Sequence, residues 1–304
     1  MTPPDKLISV TGGTGFIGRA LLRQLDRQST PARALTRRVQ TDHGPCTWVR
    51  GDLDDDVALT QFVSGADTVI HLAGLTKAPT KRAFFDANAD AAGRLAAHAA
   101  SAGVRRFILV SSLAARESHL SWYAASKRAG EDAVQSAAGD MDVVIVRPPA
   151  IIGPGDDATA QMLDAMRRGW LPVPGGVNRA RTRLSFMHVD DIAAFILQQI
   201  DRELPGKPLE PAVEPGGVGW DTLAATASEI LSKPVRLLPL PPIILFPAAY
   251  ATETVCALFG QSTFFNTGKV REMLHTDWTG RDVMNGARAF KDSLALAFGQ
   301  DIAK

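Results

Sequence analysis

Strand-like and helix-like runs alternate through the first half of this chain, and that alternation constrains its fold more than any other feature. Leu7–Val10, Ala32–Leu35, Thr68–Leu72, Phe107–Val110 and Val143–Val146 are short and continuously apolar, as strands buried on both faces must be. Between them, stretches at Ile17–Arg27, Val57–Val63, Asp90–Ala102 and Tyr123–Ala138 carry helical patterning, much of it alanine-rich. A strand followed by a helix and then a neighbouring strand needs a crossover, so the pattern predicts an α/β fold with a doubly wound parallel sheet.

The first strand runs directly into Thr11-Gly-Gly-Thr-Gly-Phe-Ile-Gly18, which opens the first helix. Gly12, Gly15 and Gly18 permit a tight turn and bring backbone N–H groups close to a bound anion, which the helix N-terminus favours. In this strand–loop–helix context the spacing predicts a Rossmann dinucleotide site formed by Gly12, Gly13, Thr14, Gly15, Phe16, Ile17 and Gly18. The second strand ends in Leu35-Thr36-Arg37-Arg38. An acid there would accept from free ribose hydroxyls, whereas guanidiniums suit a 2′-phosphate, so Arg37 and Arg38 favour NADP, with NAD as the alternative. Asp52, in Gly51-Asp-Leu53, is placed to accept from the adenine amino group.

A second constellation follows the strand Phe107–Val110. It ends in Ser111-Ser112, and the next helix opens Ser121-Trp-Tyr123-Ala-Ala-Ser-Lys127. Four residues apart on a helix, Tyr123 and Lys127 share one face. A cation beside a phenol is expected to lower its pKa, suiting Tyr123 to acid/base work on a carbonyl and alcohol pair. Ser112, at a strand's carboxyl end, is placed to polarise the substrate oxygen.

Together these motifs resemble the extended branch of the short-chain dehydrogenase/reductase family, which includes nucleotide-sugar epimerases, dehydratases, hydroxysteroid dehydrogenases and dihydroflavonol reductases. The segments that carry the resemblance are Thr11–Gly18, Gly51–Leu53, His71-Leu72-Ala73-Gly74, Asn88, Val110–Ser112, Tyr123 to Lys127, Arg147-Pro148-Pro149 and Met187-His-Val-Asp-Asp191. The resemblance implies a catalytic triad of Ser112, Tyr123 and Lys127. It also implies cofactor contacts from Leu53, Leu72, Ala73 and Gly74, support from Asn88, and passage of Pro148 to Ile151 beside the nicotinamide. A homodimer is an expectation by analogy. Two departures stand out: the interval from Ser112 to Tyr123 is short, and Leu184 occupies the position where sugar epimerases tend to keep a diphosphate-binding arginine.

After Arg147 the texture changes to Pro- and Gly-rich loops, among them Gly153-Pro-Gly155 and Pro172-Val-Pro-Gly-Gly176. Leu184–Val189 again reads as a strand, followed by a helix over Asp190–Ile200. Interleaved domains are therefore expected: a dinucleotide-binding Rossmann domain over 1–150 and 180–205, and a smaller substrate lobe over 151–179 and 206–304. Within that lobe, the run Val235–Phe246 and the pair Phe264-Phe265 supply apolar surface for a substrate crevice or for core.

The remaining features mostly exclude. With 33 Lys plus Arg against 32 Asp plus Glu, no basic field exists to gather nucleic acid, so a small-molecule substrate is the expected partner. Cys46 and Cys256 make neither a disulfide framework nor a zinc motif. The aspartates of Met187–Asp191 read as a helix start, and no metal is assigned. Met1 to Lys6 lacks signal-peptide character, and Leu237–Phe259 is interrupted by four prolines and Glu253, so it reads as packing surface and not as a membrane span. The expected location is cytoplasmic. These observations converge on an NAD(P)-dependent oxidoreductase acting between a ketone and a secondary alcohol, apolar or aromatic in character. A nucleotide-sugar epimerase or dehydratase, and a non-catalytic cofactor-binding subunit, are the alternatives.

Overall fold

The structure, a computed structural model, describes residues 6–40, 46–156, 159–175, 180–259 and 261–300. Met1 to Asp5 and Gly176, both weighed above, lie outside the described residues. Six strands form one parallel sheet: β1 (Ile8–Thr11), β2 (Ala32–Thr36), β3 (Cys46–Arg50), β4 (Thr68–His71), β5 (Arg106–Val110) and β6 (Asp142–Val146). Their order is β3-β2-β1-β4-β5-β6. The winding reverses between β1 and β4, and the crevice at the carboxyl ends of strands there is where ligands of such sheets bind.

Helices α1 (Phe16–Arg27), α2 (Asp56–Val63), α3 (Lys81–Phe85), α4 (Ala91–Ser101) and α5 (Trp122–Ala137) connect the strands. α1 buries Gly18, Ala20, Leu21 and Leu25 along one stripe, beside Val10 and Ile70 of the sheet. On the opposite face Leu59, Phe62, Leu95 and Val134 pack against Val69 and Phe107. The helix expected over 90–102 begins earlier. α3 joins α4 through a π-helical turn, Asp86–Asp90, which holds Asn88. Such turns often mark functional sites, because the wider ring redirects a side chain.

Beyond β6 follow α6 (Ala160–Arg167), α7 (Val189–Gln198), α8 (Trp220–Leu231), α9 (Pro242–Leu258), α10 (Thr267–Leu274) and α11 (Phe290–Ala297). The expected strand over 184–189 is two short pieces, Arg183–Leu184 paired with Asp277–Trp278, and Phe186–His188 paired with Ala150–Ile152. From there the chain returns to the sheet: α7 lies beside α1, and Ile192 and Ile196 enter the core that covers that face. Buried Arg106 fastens this return. Its guanidinium donates to the carbonyls of Gln199 at 2.7 Å and Arg202 at 2.6 Å, satisfying acceptors at the helix end. A separate core forms from Ile152, Met166, Leu171, Phe186, Leu223 and Leu294.

Candidate active site

A crevice of about 1610 Å³ opens at the switch point. One wall comes from the sheet. Here Gly12, with φ of +71°, presses its backbone against the end of β4, so that a Cβ would stand 2.7 Å from the Ala73 nitrogen. A Cβ on Gly18 would stand only 2.1 Å from the Gly12 carbonyl oxygen. The loop is thus folded backbone on backbone. Gly15 caps α1 with no side-chain acceptor and no acid follows in the first turn, whereas Asp55 and Ser121 cap α2 and α5. The first N–H groups of α1 are left for an anion, so the loop fits a dinucleotide pyrophosphate.

Of the expected site residues, the crevice is lined by Gly12, Thr14, Gly15, Phe16, Ile17, Gly18, Leu72, Gly74, Ser112, Tyr123, Lys127, Pro148 and Ile151. Gly13, Arg37, Arg38, Asp52, Leu53, Ala73 and Asn88 stand outside its lining. Gly13 instead lets α1 approach the sheet, where a Cβ would meet Leu22 at 2.9 Å. Asn88 works from behind: its amide accepts from Leu75 N at 2.8 Å and donates to Leu75 O and Ser126 Oγ, each at 2.9 Å. It thereby locks the β4 loop to the helix carrying Tyr123. Arg37 and Arg38 are exposed at the end of β2, and the Arg37 guanidinium lies 3.9 Å from the Asp52 carboxylate.

At the crevice floor Ser112 accepts from Ala114 N at 3.2 Å, and its hydroxyl is near enough to the Tyr123 phenol to favour the phenolate. Lys127 Nζ donates to Val110 O at 3.2 Å. The electrostatics correct one expectation. The phenol is not lowered but pushed up to about 12, because burial disfavours the phenolate more than Ser112 favours it, and Glu272 adds a like charge. Lys127 is lowered to about 8, again by burial, against the pull of Glu131. A half-buried phenol in a poorly solvated floor is therefore held as an acid.

Several supporting groups escaped the sequence reading. Buried Glu131 accepts from Ser111 Oγ at 2.6 Å and from two nitrogens of Arg147, at 2.8 and 2.6 Å. Arg147 and Arg116 both reach Glu210, at 3.3 and 3.2 Å. Thr11 Oγ1 lies 2.7 Å from His71 Nδ1, and burial drives that histidine down to about 3, so it is neutral. Glu272 on α10 accepts from Ser121 Oγ, the hydroxyl that caps α5, and from Lys269 Nζ at 2.9 Å. All of these pairs are distant in sequence and have no local signature, except Lys269 and Glu272, which sit one helical turn apart.

The opposite wall is built from side chains: Met162, Leu184, Trp220, Phe264, Phe265 and Trp278, with Lys269 and Arg271 among them. Lys269 Nζ stands 4.7 Å from the centre of the Phe264 ring. The Trp220 indole N–H is buried with no partner among the described residues. Phe264 and Phe265 therefore do reach the crevice, but no residue of the run Val235–Phe246 lines it. That run pairs as Arg236–Leu240 with Trp170–Pro174 and then turns away as the start of α9. Arg181 and Arg183 are exposed and stand outside the lining; Arg183 Nη1 donates instead to the carbonyls of Ala180 and Thr182.

His188 caps α7 by accepting from Asp190 N at 3.2 Å, and Asp191 pairs with Arg288. The Met187–Asp191 segment is thus a helix start tied to the C-terminal lobe. Among the described residues no group of three or more His, Cys, Asp and Glu is placed to hold a metal ion. No helix of the described residues is long and apolar enough to cross a membrane.

Sheet, glycine loop and floor define a dinucleotide-dependent enzyme of the extended short-chain dehydrogenase/reductase type. Known proteins agree: the chain belongs to the NAD dependent epimerase/dehydratase family, whose model matches residues 8–209. It is 41% identical to a ceramide reductase of Caulobacter vibrioides over 90% of this chain and 86% of that protein. It is 25% identical to the UDP-glucose 4-epimerase of Vibrio cholerae, over 78% of this chain and 79% of that one. Among solved structures, it superposes on a short-chain dehydrogenase/reductase superfamily protein from Agrobacterium tumefaciens with bound NAD. The TM-score is 0.68 at 21% identity, covering 96% of both chains. The family and these relatives establish an NAD(P)-dependent enzyme of reductase or epimerase type.

Proposed function

We propose that this chain reduces an apolar, lipid-like ketone to its secondary alcohol, with NADPH preferred to NADH. With its pyrophosphate on the glycine loop, a bound reduced dinucleotide would supply the hydride that the carbonyl carbon accepts. Tyr123, protonated at neutral pH as any phenol is and held so more firmly because burial raises it to about 12, donates its proton to the carbonyl oxygen. Ser112 holds the same oxygen by a hydrogen bond and orients it toward the phenol. Lys127, four residues along the same helix, would hold the nicotinamide ribose and stabilise the tyrosinate left behind. The phosphate preference rests on the exposed Arg37 and Arg38 and the missing acid after β2.

The observation that carries this reading is the pairing of a protonated phenol with an apolar facing wall. Met162, Leu184, Phe264 and Phe265 line the side opposite the sheet. Burial of a hydrocarbon substrate there contributes roughly 25 cal/mol per Å² of apolar area. The relative named for ceramide reduction, similar over nine-tenths of this chain, supports a lipid as the class. Arg271 in the lining and the likeness to a UDP-glucose 4-epimerase support a second reading, a nucleotide-sugar epimerase.

One assay separates them. Purified protein with NADPH or NADH is followed at the nicotinamide absorbance band with long-chain ketones and with UDP-sugars, and UDP binding is measured by calorimetry. Oxidation of NADPH by the ketones alone is expected. Micromolar UDP binding with sugar interconversion, and no ketone turnover, would overturn the reductase reading.

A further inference from the structure

The helix that the sequence offered as packing surface is largely uncovered. Of α9 only Leu245 and Ala249 are buried, while Ile243, Ile244, Tyr250, Val255 and Leu258, with Phe259 just beyond, are exposed. Ile243 is 80% exposed and Leu258 78%, at opposite ends of a helix about 25 Å long. Soluble surfaces seldom gather so many large apolar side chains on one element, and such patches mark interaction sites.

The surroundings of that face say what it meets. From Lys233 to Glu272 the charged residues are Lys233, Arg236, Glu253, Lys269, Arg271 and Glu272, and Lys269 is paired with Glu272 at 2.9 Å, which leaves Lys233, Arg236 and Arg271 against the one anion Glu253. The one anion faces inward: the Glu253 carboxylate accepts from Thr267 N at 3.2 Å and from Thr267 Oγ1 at 3.0 Å. Lys233 and Arg236 precede the helix and are exposed, and exposed Arg271 follows it. An apolar face with no outward charge, with Lys233 and Arg236 ahead of it and Arg271 on the helix packed beside it, complements a negatively charged lipid surface, whose headgroups take the cations while the acyl boundary takes the side chains. A second protein copy would meet a face with no charged group to register it. The same element also reaches the crevice, because Glu253 and Ala257 line it, so the exposed face and the crevice mouth are continuous.

We infer that α9 seats this protein on the surface of an anionic phospholipid bilayer, with the crevice mouth opening beside the membrane. The helix lies in the headgroup region and does not span. This inference stands apart from the reaction class, since it rests on the outer face of α9 and not on the crevice floor.

The test is flotation of the full chain with vesicles of phosphatidylcholine, alone or mixed with phosphatidylglycerol, at low and high salt. Binding to the phosphatidylglycerol vesicles, weakened by salt, is expected. The variant Ile243→Ser/Leu258→Ser, altered only at side chains already in solvent, is expected to keep its melting temperature and lose about tenfold or more in vesicle affinity. Cofactor binding, read by fluorescence titration, is expected to be unchanged in that variant. Absence of vesicle binding, binding indifferent to lipid charge, or equal binding by the variant would overturn the inference. So would a dimer in light scattering that the variant dissolves without any vesicle binding, because a second copy would then own the face.

Discussion

The two walls of the crevice are made of different material. The sheet wall is backbone: Gly12 and Gly18 fold on each other and on the end of β4, and the uncapped start of α1 presents N–H groups. The facing wall is side chain: Met162, Leu184, Phe264 and Phe265 present hydrocarbon from loops and short elements. A backbone wall admits one residue type at each close contact and tolerates no additions. A side-chain wall can be redrawn one residue at a time, which lets one fold serve many substrates.

That contrast can be broken first at the floor, where chemistry depends on one proton. Tyr123→Phe is expected to reduce kcat by roughly a thousandfold while the cofactor dissociation constant moves little, as general acids typically contribute on that scale. Steady-state turnover and fluorescence titration decide it, and retained turnover would remove Tyr123 from the acid's role. Next comes the backbone wall. Gly18→Ala places a methyl 2.1 Å from the Gly12 oxygen, so cofactor affinity is expected to fall by about a hundredfold, with a loss of stability of about 1–3 kcal/mol. A mild effect on either would mean that the loop yields as side chains do.

The facing wall should respond more gently. Phe264→Ala is expected to raise KM for an apolar ketone by about tenfold, the worth of a partly buried ring, and to leave cofactor affinity alone. The smallest effect belongs to the seam between the walls, at Glu272. Burial does most to hold the Tyr123 phenol up and the negative charge of Glu272 adds to it, so Glu272→Gln lowers the phenol pKa part of the way toward its ordinary value. In the reducing direction the acid must be protonated, and the alkaline limb of the kcat/KM profile is therefore expected to move to lower pH. An unmoved limb would confine Glu272 to holding Ser121, the cap of α5.

The same contrast explains what could be read from the sequence. Gly12, Gly15, Gly18, the strand-end serines and the Tyr123–Lys127 spacing were legible because local geometry dictates them. Buried strands such as β4 and β5 announced themselves by unbroken apolar runs. The Glu131–Arg147–Glu210 network was not legible, since its members come from three distant segments and no spacing relates them. Nor was the fate of Val235–Phe246, because apolar composition marks core, crevice and exposed face alike. The phenol's direction was misread for a related reason: the lysine was visible in sequence, but the desolvation that outweighs it exists only once the floor is packed.

The return of α7 to the sheet has a consequence for how the molecule comes into being. The core of Val10, Leu21 and Leu25 remains incomplete until Ile192 and Ile196 arrive, about 170 residues later in synthesis. Arg116 waits almost as long, for the carbonyls of Asp277 and Thr279 near the end of the chain. A nascent chain holding every catalytic residue is thus not yet an enzyme. The half that carries the chemistry is emitted first and completed last, and a ribosome stalled after the Tyr123 helix would release a sheet with one face only partly covered.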